Sequence, residues 1–348
     1  MANLVINTYC NLKCPYCFAE DEKQTYVNQE MTEENFKKAV NWITKTDDRV
    51  GIIGGEPTLH SKFGDYMMYL INNPKVNTIM LYTNGTHMEK YLTLLSNHKV
   101  RLLVNLNHPE VVGGEKKLNK ILDNIEKLIA LKKDNDIEES QLSIGLNLYK
   151  PGQDYQFFID ALKRFDMHTC RMSVSIENIA NMREYDPMDY FKKMKDTLVN
   201  FLWDLIKIDC ITREDCNFIP KCLFEEQELD TINAELHRVA RKHNICPSEA
   251  EICVQSCVNG FAPLDIHPDL TASKCFGCSE YDKQNIHDHC DWQHLNNYFR
   301  KSITDFSRII PFSKVCTTEC KYYSECYAGC MKYKLNKIDI LKETLNKV

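Results

Sequence analysis

Three cysteines near the start of the chain, Cys10, Cys14 and Cys17, have the spacing C-x3-C-x2-C. Three thiolates from one loop can bind three of the four irons of a cubane [4Fe–4S] cluster, which leaves the fourth iron without a protein ligand. An open metal position is what a catalytic site needs in order to bind a substrate or cofactor. The spacing therefore predicts an open iron–sulfur cluster. A zinc site with a remote fourth ligand and three unrelated thiols are the alternatives.

Cysteines are concentrated again towards the other end of the chain. Of 17 cysteines in 348 residues, nine lie between Cys253 and Cys330. The first residues show neither the basic segment nor the cleavage site of a signal peptide, so we expect a cytoplasmic protein. In that compartment clustered thiols are usually metal ligands and not disulfides. The cysteine count alone does not choose between zinc and iron–sulfur.

Charge and hydropathy exclude two classes of partner. The net charge is −6, which argues against a general basic surface for nucleic acid. No apolar run approaches the length needed to span a membrane, so we also expect no membrane segment.

Polar and glycine-rich motifs follow the second and third predicted strands. The motif GGEP, Gly54 to Pro57, ends the second strand, and TNG, Thr83 to Gly85, ends the third. Glycine allows close approach of backbone to a ligand, and Glu56 could accept hydrogen bonds from an ammonium group. Ligand sites in parallel α/β folds lie at the carboxyl ends of the strands. The two motifs and the cysteine loop are therefore expected at one rim.

Strand and helix patterns alternate over the first half of the chain. Apolar, β-branched stretches alternate with segments of helical periodicity, which favours a parallel sheet covered by helices. Six strands are predicted, at 3–8, 49–55, 77–85, 100–107, 142–149 and 170–176. Periodicity alone leaves open whether they form a doubly wound sheet or a partial barrel.

The pattern changes beyond the sixth strand. Two long helices are predicted at 187–208 and 228–244, separated by a cysteine-containing loop over 209–224. The composition becomes cysteine-rich and irregular from about residue 250. The predicted domains are therefore 1–180, a helical bridge at 181–250, and a cysteine-rich domain at 251–348.

The C-x3-C-x2-C loop with an aromatic residue before its last cysteine, followed by GGEP after strand two, resembles the radical S-adenosylmethionine (SAM) superfamily. The resemblance covers residues 1–180 and implies a partial (β/α)6 barrel. It implies a [4Fe–4S] cluster held by Cys10, Cys14 and Cys17, with SAM chelating the open iron. It further implies reductive cleavage of SAM to methionine and a 5′-deoxyadenosyl radical, which abstracts a hydrogen from the substrate.

The resemblance also implies which residues contact SAM. Tyr16 lies beside the adenine through its backbone, and Gly54, Gly55 and Glu56 hold the methionine amine. Strand four often carries Ser-x-Asp in this family, where this chain has Asn105-Leu106-Asn107. The full set of candidate SAM contacts is Tyr16, Gly54, Gly55, Glu56, Pro57, Thr83, Asn84, Asn105, Asn147 and Ser173.

The C-terminal cysteines resemble the SPASM extension of radical SAM enzymes, which holds auxiliary [4Fe–4S] clusters. The family ligand pattern implies a first cluster on Cys253, Cys257, Cys275 and Cys330, and a second on Cys316, Cys320 and Cys326. This chain departs from the pattern in three places: Cys316-x3-Cys320 replaces C-x2-C, Leu270 replaces a glycine, and no seventh cysteine follows Cys330. The resemblance therefore implies one or two auxiliary clusters.

The second auxiliary cluster is one ligand short in this assignment. We expect Cys290 to complete it, because it lies fifteen positions beyond Cys275 and can therefore reach either cluster. The rivals are Cys278, a cysteine of the 210–222 loop, and an open iron that binds substrate. An uncrossed arrangement, with the four cysteines of 316–330 on one cluster, is a further alternative. The 210–222 loop itself is either a cysteine-rich lid, a source of cluster ligands or the bearer of a catalytic thiol.

Most SPASM enzymes modify peptides or proteins, so the resemblance implies oxidative modification of such a substrate. Thioether or carbon–carbon crosslinking in the maturation of a ribosomal precursor peptide is expected. Phe276 stands where sulfatase maturases have an aspartate, which argues against that activity. Expected partners are a peptide substrate, an electron donor such as flavodoxin or ferredoxin, and a separate leader-binding protein. The alternatives are a dehydrogenase or rearrangement enzyme acting on a small molecule, and a non-catalytic metal-binding protein. The sequence singles out no catalytic side chain.

Overall fold

The computed structural model describes residues 1–17, 19–134, 141–175, 186–214, 219–252, 264–274, 282–304, 313, 315–316 and 319–322. The chain divides into two compact units, each assembled from separate segments. The first unit contains Met1–Cys14, Phe18–Ile144 and Pro263–Ile303, and the second contains Pro15–Cys17, Gly145–Ala262 and Thr304–Val348.

Strands and helices alternate through most of the described chain. The strands are β1 (Ala2–Asn7), β2 (Arg49–Gly54), β3 (Thr78–Thr83), β4 (Val100–Asn105), β5 (Leu142–Leu148), β6 (Thr169–Val174), β7 (Ile211–Glu214), β8 (Leu264–Ile266), β9 (Thr271–Ser273) and β10 (Gln284–Asn285). The helices are α1 (Glu20–Thr25), α2 (Glu33–Ile43), α3 (Phe63–Asn72), α4 (Leu92–Leu95), α5 (Pro109–Val112), α6 (Glu115–Asp134), α7 (Gln156–Arg164), α8 (Pro187–Lys207), α9 (Glu226–Lys242) and α10 (Trp292–Phe299).

The sheet of the first unit is built around β1. The strands β1, β2, β3 and β4 are parallel and adjacent in that order, with Leu4 opposite Ile52 and Leu81 opposite Leu102. Every residue of β1 is buried, as expected for a parallel strand covered on both faces. The carboxyl ends of these four strands, and the loops that follow them, therefore lie along one edge of the sheet.

The C-terminal part of the chain adds strands to the other side of β1. β8 pairs with β1 in parallel, β9 with β8 antiparallel, and β10 with β9 antiparallel. A buried hydrogen bond of 2.8 Å from Asn3 Nδ2 to Asp265 Oδ1 joins β1 to β8. Sequence analysis described this region only as irregular. These strands are two or three residues long, too short to give a recognisable alternation.

The second unit begins within β5, whose residues from Gly145 onward lie beside β6, and β6 pairs with β7, all in parallel. The helices α8 and α9 pack together in this unit, where a salt bridge of 2.7 Å joins Lys195 to Glu228. Sequence analysis placed a loop at 209–224, so β7 is a correction. Its four residues, ITRE, contain two charged side chains and lack the continuous apolar character of the other strands.

The six strands predicted for the first half of the chain are confirmed as β1 to β6, and the α/β class with a parallel sheet is confirmed with them. The start of α2 shows why the local signals were reliable: Thr32 caps the helix, its side chain accepting a hydrogen bond of 3.2 Å from the backbone N–H of Asn35.

In the described part of the chain, none of the helices is long and apolar enough to cross a membrane. The domain boundaries near 180 and 250 stay a prediction.

Candidate cofactor site

The cysteine loop leaves the carboxyl end of β1. Cys10 is partly exposed, and its sulfur accepts a hydrogen bond of 3.4 Å from the backbone N–H of Leu12 and a weaker one of 3.7 Å from Asn84 Nδ2. Asn84 follows directly after β3. Hydrogen bonds to the sulfur favour its ionised form and tune the potential of an iron–sulfur cluster. This environment fits a cluster thiolate.

A small amide and hydroxyl network fixes Asn84 in this position. Asn84 Nδ2 donates to Asn11 Oδ1 at 3.0 Å, and Asn84 Oδ1 accepts from the backbone N–H and the hydroxyl of Thr86 at 3.0 and 2.6 Å. Asn11 Nδ2 donates a hydrogen bond of 2.9 Å to the Thr86 hydroxyl. The network ties the cysteine loop to the TNG turn. Sequence analysis selected Asn84 and missed Asn11 and Thr86, whose only signal was their position next to chosen motifs.

The second cysteine of the loop lies beside the end of β4. Cys14 Sγ is 3.9 Å from Asn107 Oδ1, and Asn107 Nδ2 donates to the carbonyl of Asn105 at 3.0 Å. Sequence analysis selected Asn105 as the candidate contact, whereas Asn107 is the residue whose side chain meets the loop. The signal was present, because the Asn-Leu-Asn triplet buries Leu106 and places two amides two residues apart at a strand end.

Gly54 and Gly55 are required by the first strand. A Cβ on Gly55 would collide with the carbonyl oxygen of Tyr9, and one on Gly54 with the backbone and side chain of Asn7. The approach is held by two backbone hydrogen bonds, from Gly55 N–H to Asn7 O at 3.0 Å and from Glu56 N–H to Tyr9 O at 2.9 Å. The glycines therefore lock GGEP against the start of the cysteine loop, a packing reason that motif analysis did not contain.

Glu56 is buried, with only 1% of its surface exposed. One carboxylate oxygen accepts from the hydroxyls of Thr58 and Thr83 at 2.5 and 2.6 Å and from Thr58 N–H at 3.2 Å. The other accepts from the backbone N–H of Asn84 at 2.7 Å. Burial raises the pKa of this carboxyl, and the hydrogen bonds from Asn84, Thr58 and Thr83 oppose that rise. The carboxylate thus joins GGEP to TNG, and it also caps the 3-10 turn Pro57–Leu59.

We refer to Cys10, Cys14, Glu56, Thr83 and Asn84 as the strand-end rim. All five belong to the first unit and lie at or just beyond the carboxyl ends of β1 to β3. Their hydrogen bonds run from strand to strand, from Glu56 to Thr83 and Asn84, and from Asn84 back to Cys10. The expectation that GGEP, TNG and the cysteine loop meet at one edge of the sheet agrees with this geometry.

Three further candidate residues lie in the second unit. Asn147 and Ser173 are opposite each other on β5 and β6, and Ser173 Oγ donates to Asn147 Oδ1 at 2.7 Å. Ser175 Oγ donates to the same oxygen at 3.1 Å. Tyr16 is buried, with its ring centroid 4.6 Å from that of Tyr149. Aromatic packing of Tyr16 thus fixes the backbone just before Cys17.

Most of the predicted auxiliary ligands lie outside the described residues: Cys253, Cys257, Cys275, Cys326 and Cys330. Cys278 and Cys216 also lie outside them. Cys290 is described and belongs to the first unit. Its carbonyl accepts a hydrogen bond of 2.9 Å from Lys45, and its thiol is 3.5 Å from Asp291 Oδ2. Its role as a ligand stays a prediction.

A group of three thiols in the second unit was not assembled by sequence analysis. Cys222 is exposed on the short 3-10 turn Lys221–Leu223, and Cys316 and Cys320 are partly buried. Burial raises the pKa of the Cys222 thiol, and so does the negative charge of Cys316 and of Cys320. Cys316 and Cys320 therefore both oppose the ionisation of Cys222. We call these three thiols the thiol patch.

Among the described residues, no three Cys, His, Asp or Glu side chains converge closely enough to hold a single metal ion. Thiols that bind a cubane cluster have a different requirement, because each binds a different iron. Soft thiolates with N–H donors directed at sulfur, as found at Cys10, are the donor set that iron–sulfur clusters use. The residues at the strand-end rim therefore fit an iron–sulfur cluster.

The part of the sequence that builds this arrangement matches a protein family. Residues 4–147 match the Radical SAM superfamily. The matched segment begins in β1 and ends within β5, so it contains the cysteine loop, GGEP, TNG and the Asn-Leu-Asn triplet.

Curated relatives include several GTP 3′,8-cyclases. The cyclase of Shewanella denitrificans is 22% identical over 229 residues, which is 62% of this chain and 65% of that protein. A probable GTP 3′,8-cyclase of Methanococcus maripaludis is 35% identical over 95 residues, 27% of this chain and 31% of that protein. The matched segments thus span between about one third and two thirds of these relatives.

Solved structures of similar fold can be aligned with nearly the whole chain. Native anSMEcpe with bound AdoMet and Kp18Cys peptide has a TM-score of 0.59 at 16% identity, covering 100% of this chain and 99% of that one. Streptococcus suis SuiB bound to S-adenosylmethionine has a TM-score of 0.57 at 13% identity, covering 94% of this chain and 71% of that one. These likenesses agree with the partial (β/α)6 radical SAM fold.

Proposed function

We propose that this chain, which belongs to the radical SAM superfamily through residues 4–147, is an enzyme that cleaves SAM and oxidatively modifies a peptide or protein. The observation that carries the proposal is the strand-end rim. It gathers two cysteines of the loop, the GGEP carboxylate and the TNG amide at the carboxyl ends of parallel strands, where α/β folds bind ligands.

Cys10, Cys14 and Cys17 would hold a [4Fe–4S] cluster. When bound, the cluster supplies the electron that cleaves SAM into methionine and the hydrogen-abstracting 5′-deoxyadenosyl radical. The chain contributes the surroundings of the thiolates. The N–H groups of Leu12 and Asn84 stabilise the Cys10 sulfur, and Asn107 lies against Cys14.

Glu56 has a positioning role in this proposal. Its carboxylate is already hydrogen-bonded to Thr58, Thr83 and Asn84. We therefore infer that the methionine amine of SAM meets the turn formed by Gly54 to Pro57, and that the buried carboxylate fixes the shape of that turn. Thr83 and Asn84 act through the same network. Further contacts to SAM are assigned to Tyr16, Asn105, Asn147 and Ser173.

The peptide substrate is supported by fold similarity and by the cysteine-rich C-terminal segment. The structures of similar fold include anSMEcpe with the Kp18Cys peptide and Streptococcus suis SuiB with the precursor peptide SuiA. We assign to this chain a peptide substrate of ribosomal origin and a crosslinking or related two-electron oxidation. A flavodoxin or ferredoxin would be the electron donor, and a separate protein would bind a leader peptide.

A small-molecule substrate is the second candidate. It is favoured by the similarity to the Shewanella denitrificans GTP 3′,8-cyclase over 229 residues. In this case the same rim would hold SAM, and the C-terminal half would bind a nucleotide or another small metabolite in place of a peptide.

The test uses full-length protein whose iron–sulfur content is reconstituted without oxygen. With SAM and a strong reductant, formation of 5′-deoxyadenosine is expected, and its absence would leave only a metal-binding role. Cysteine-, aspartate- or aromatic-rich peptides encoded beside the gene are then co-expressed and examined by mass spectrometry. Loss of two hydrogens from such a peptide supports the proposal. Consumption of GTP or another small molecule, with every peptide unchanged, would favour the second candidate.

A further inference from the structure

Two segments distant in sequence are adjacent in the second unit. The short turn Lys221–Leu223 carries Cys222, and residues 316–322 carry Cys316 and Cys320. Lys221 Nζ lies 6.0 Å from the ring centroid of Tyr322. Lys321 Nζ lies 3.2 Å from Glu226 Oε2, a contact between residues 95 positions apart. The neighbours of Cys222 therefore touch the neighbours of Cys320.

The contact between the two segments brings thiols from separate parts of the chain into one region. Thiols that bind a cubane cluster each hold a different iron, so they need not converge on a single metal ion. The spacing Cys316-x3-Cys320 supplies two ligands from one segment, and Cys222 adds a third from the other.

We propose that Cys222 binds the same auxiliary iron–sulfur cluster as Cys316 and Cys320, and so supplies the ligand that the C-terminal cysteine pattern lacks. As each iron–sulfur bond forms, the thiol loses its proton to solvent, and neither sulfur nor iron changes oxidation state. The assignment rests on the proposed function only in taking the bound group to be an iron–sulfur cluster. It does not depend on the substrate.

The charges around the patch agree with this assignment. A cluster held by thiolates is anionic, and Lys192 lies close enough to Cys222 to lower the pKa of its thiol. Lys221 and Lys321 flank the two segments in sequence and lie at their contact. Of these lysines, Lys192 acts on Cys222 directly, whereas Lys321 is paired with Glu226.

Cys222 is a better candidate for this position than Cys290. Cys222 lies in the same compact unit as Cys316 and Cys320, on a turn whose Lys221 lies over the ring of Tyr322. Cys290 belongs to the first unit, where its neighbours are Lys45 and Asp291. The 210–222 loop, one of the rivals left open by the sequence, is therefore the source of the ligand.

The first experiment compares iron content and Mössbauer spectra of three full-length proteins reconstituted without oxygen: wild type, Cys222→Ala and Cys246→Ala. Cys246 is a matched control, because it is exposed, lies in the same unit and contacts Ser248 at 3.1 Å. We expect Cys222→Ala to lose between about one and four irons per chain, with an altered spectrum. Cys246→Ala should match wild type. Full iron and an unchanged spectrum in Cys222→Ala would overturn the assignment.

The second experiment needs no variant and therefore decides even where Cys222→Ala folds poorly. Wild-type protein with and without reconstituted clusters is treated with iodoacetamide, and alkylation of each cysteine is followed by mass spectrometry. Cys222 should react in the cluster-free protein and at least tenfold more slowly after reconstitution, whereas Cys246 should react equally in both. Equal alkylation of Cys222 in both samples would overturn the proposal. Protection of Cys222 from alkylation when zinc alone is added to the cluster-free protein would overturn it as well. Formation of 5′-deoxyadenosine in the same samples reports separately on the radical SAM activity.

Discussion

The strand-end rim and the thiol patch both gather groups suited to a cofactor, but they differ in how far the chain satisfies those groups by itself. In the rim, the Glu56 carboxylate has four hydrogen-bond donors, and the Cys10 sulfur has two. In the patch, the charges of Cys316 and Cys320 oppose the ionisation of the Cys222 thiol. The rim is held by its own hydrogen bonds, whereas the patch is the region for which we propose a bound cluster.

The two regions should therefore differ in how much their order depends on a bound cofactor. The rim is ordered by strand pairing and by buried hydrogen bonds, so its geometry should exist before any cofactor binds. The patch joins the 3-10 turn Lys221–Leu223 to the segment that carries Cys316 and Cys320, so its order should depend on what the thiols bind. Removing the iron should therefore loosen the patch and leave the rim in place.

The largest expected effect follows from removing a rim thiol. Cys14→Ala should abolish formation of 5′-deoxyadenosine, because the cluster would lose one of its three ligands. The apolar strands do not need the thiol, so the melting temperature of the cluster-free protein should change by no more than about 2 °C. Activity and thermal unfolding are measured on the same preparation, with Cys246→Ala as control. Normal 5′-deoxyadenosine formation in Cys14→Ala would contradict the radical SAM assignment.

The next largest effect follows from removing the Glu56 carboxylate, which links the other residues of the rim. Glu56→Ala leaves the hydroxyls of Thr58 and Thr83 and the N–H of Asn84 buried without their acceptor, and should cost about 3–5 kcal/mol of unfolding free energy. Chemical denaturation of the cluster-free protein measures it. A loss of SAM affinity at unchanged stability would mean that the carboxylate binds SAM directly.

Two milder substitutions test the hydrogen bonds to Glu56 in protein that should remain folded. Thr83→Val keeps the shape of the side chain and removes its hydrogen bonds to Glu56 and from Gly85 N–H, which should cost about 1–2 kcal/mol. Thr78→Val, at the other end of β3, should change stability by less than about 0.5 kcal/mol. Equal effects at the two positions would show that the network contributes nothing to stability.

Much of the rim could be predicted from the sequence because its parts follow apolar strands of clear pattern. The end of each strand is local information, and parallel strands place their ends together. The partners that complete the rim depend on non-local contacts. Asn107 was passed over for Asn105, and the contact of Gly55 with Tyr9 needs the pairing of β1 with β2.

The thiol patch and the edge strands could not be predicted in the same way. The segments that carry Cys222 and Cys320 are joined by the contact of Lys321 with Glu226, 95 positions apart, and no local pattern encodes that approach. β7 and β8 are four and three residues long, and their strand character comes from pairing with β6 and β1. Spacing along the chain therefore predicts ligands within one segment and leaves open which other segment supplies the remaining one.

A buried charge elsewhere in the first unit sharpens the contrast with Glu56. Lys132, on α6, is 2% exposed, and its ammonium donates to the carbonyl of Val100 at 3.2 Å and to Gln141 Oε1 at 3.4 Å. Burial lowers its pKa from 10.5 to about 8. Removing the Glu56 carboxylate should destabilise the protein because it leaves buried donors unpaired. Removing the Lys132 ammonium should stabilise it because it relieves a desolvated charge.

Lys132→Met should therefore have an effect of the opposite sign. Below pH 8 both folded and unfolded wild type carry the proton, and the buried charge lowers stability. Between about pH 8 and 10.5 the folded protein has released it while the unfolded chain keeps it, so wild-type stability rises with pH. The variant should be more stable by about 1–3 kcal/mol at pH 7, with the difference shrinking towards pH 10.5. Urea unfolding across this range measures it, with the exposed Lys127→Met on the same helix as control. A difference that does not change with pH would mean that Lys132 remains charged in the folded protein.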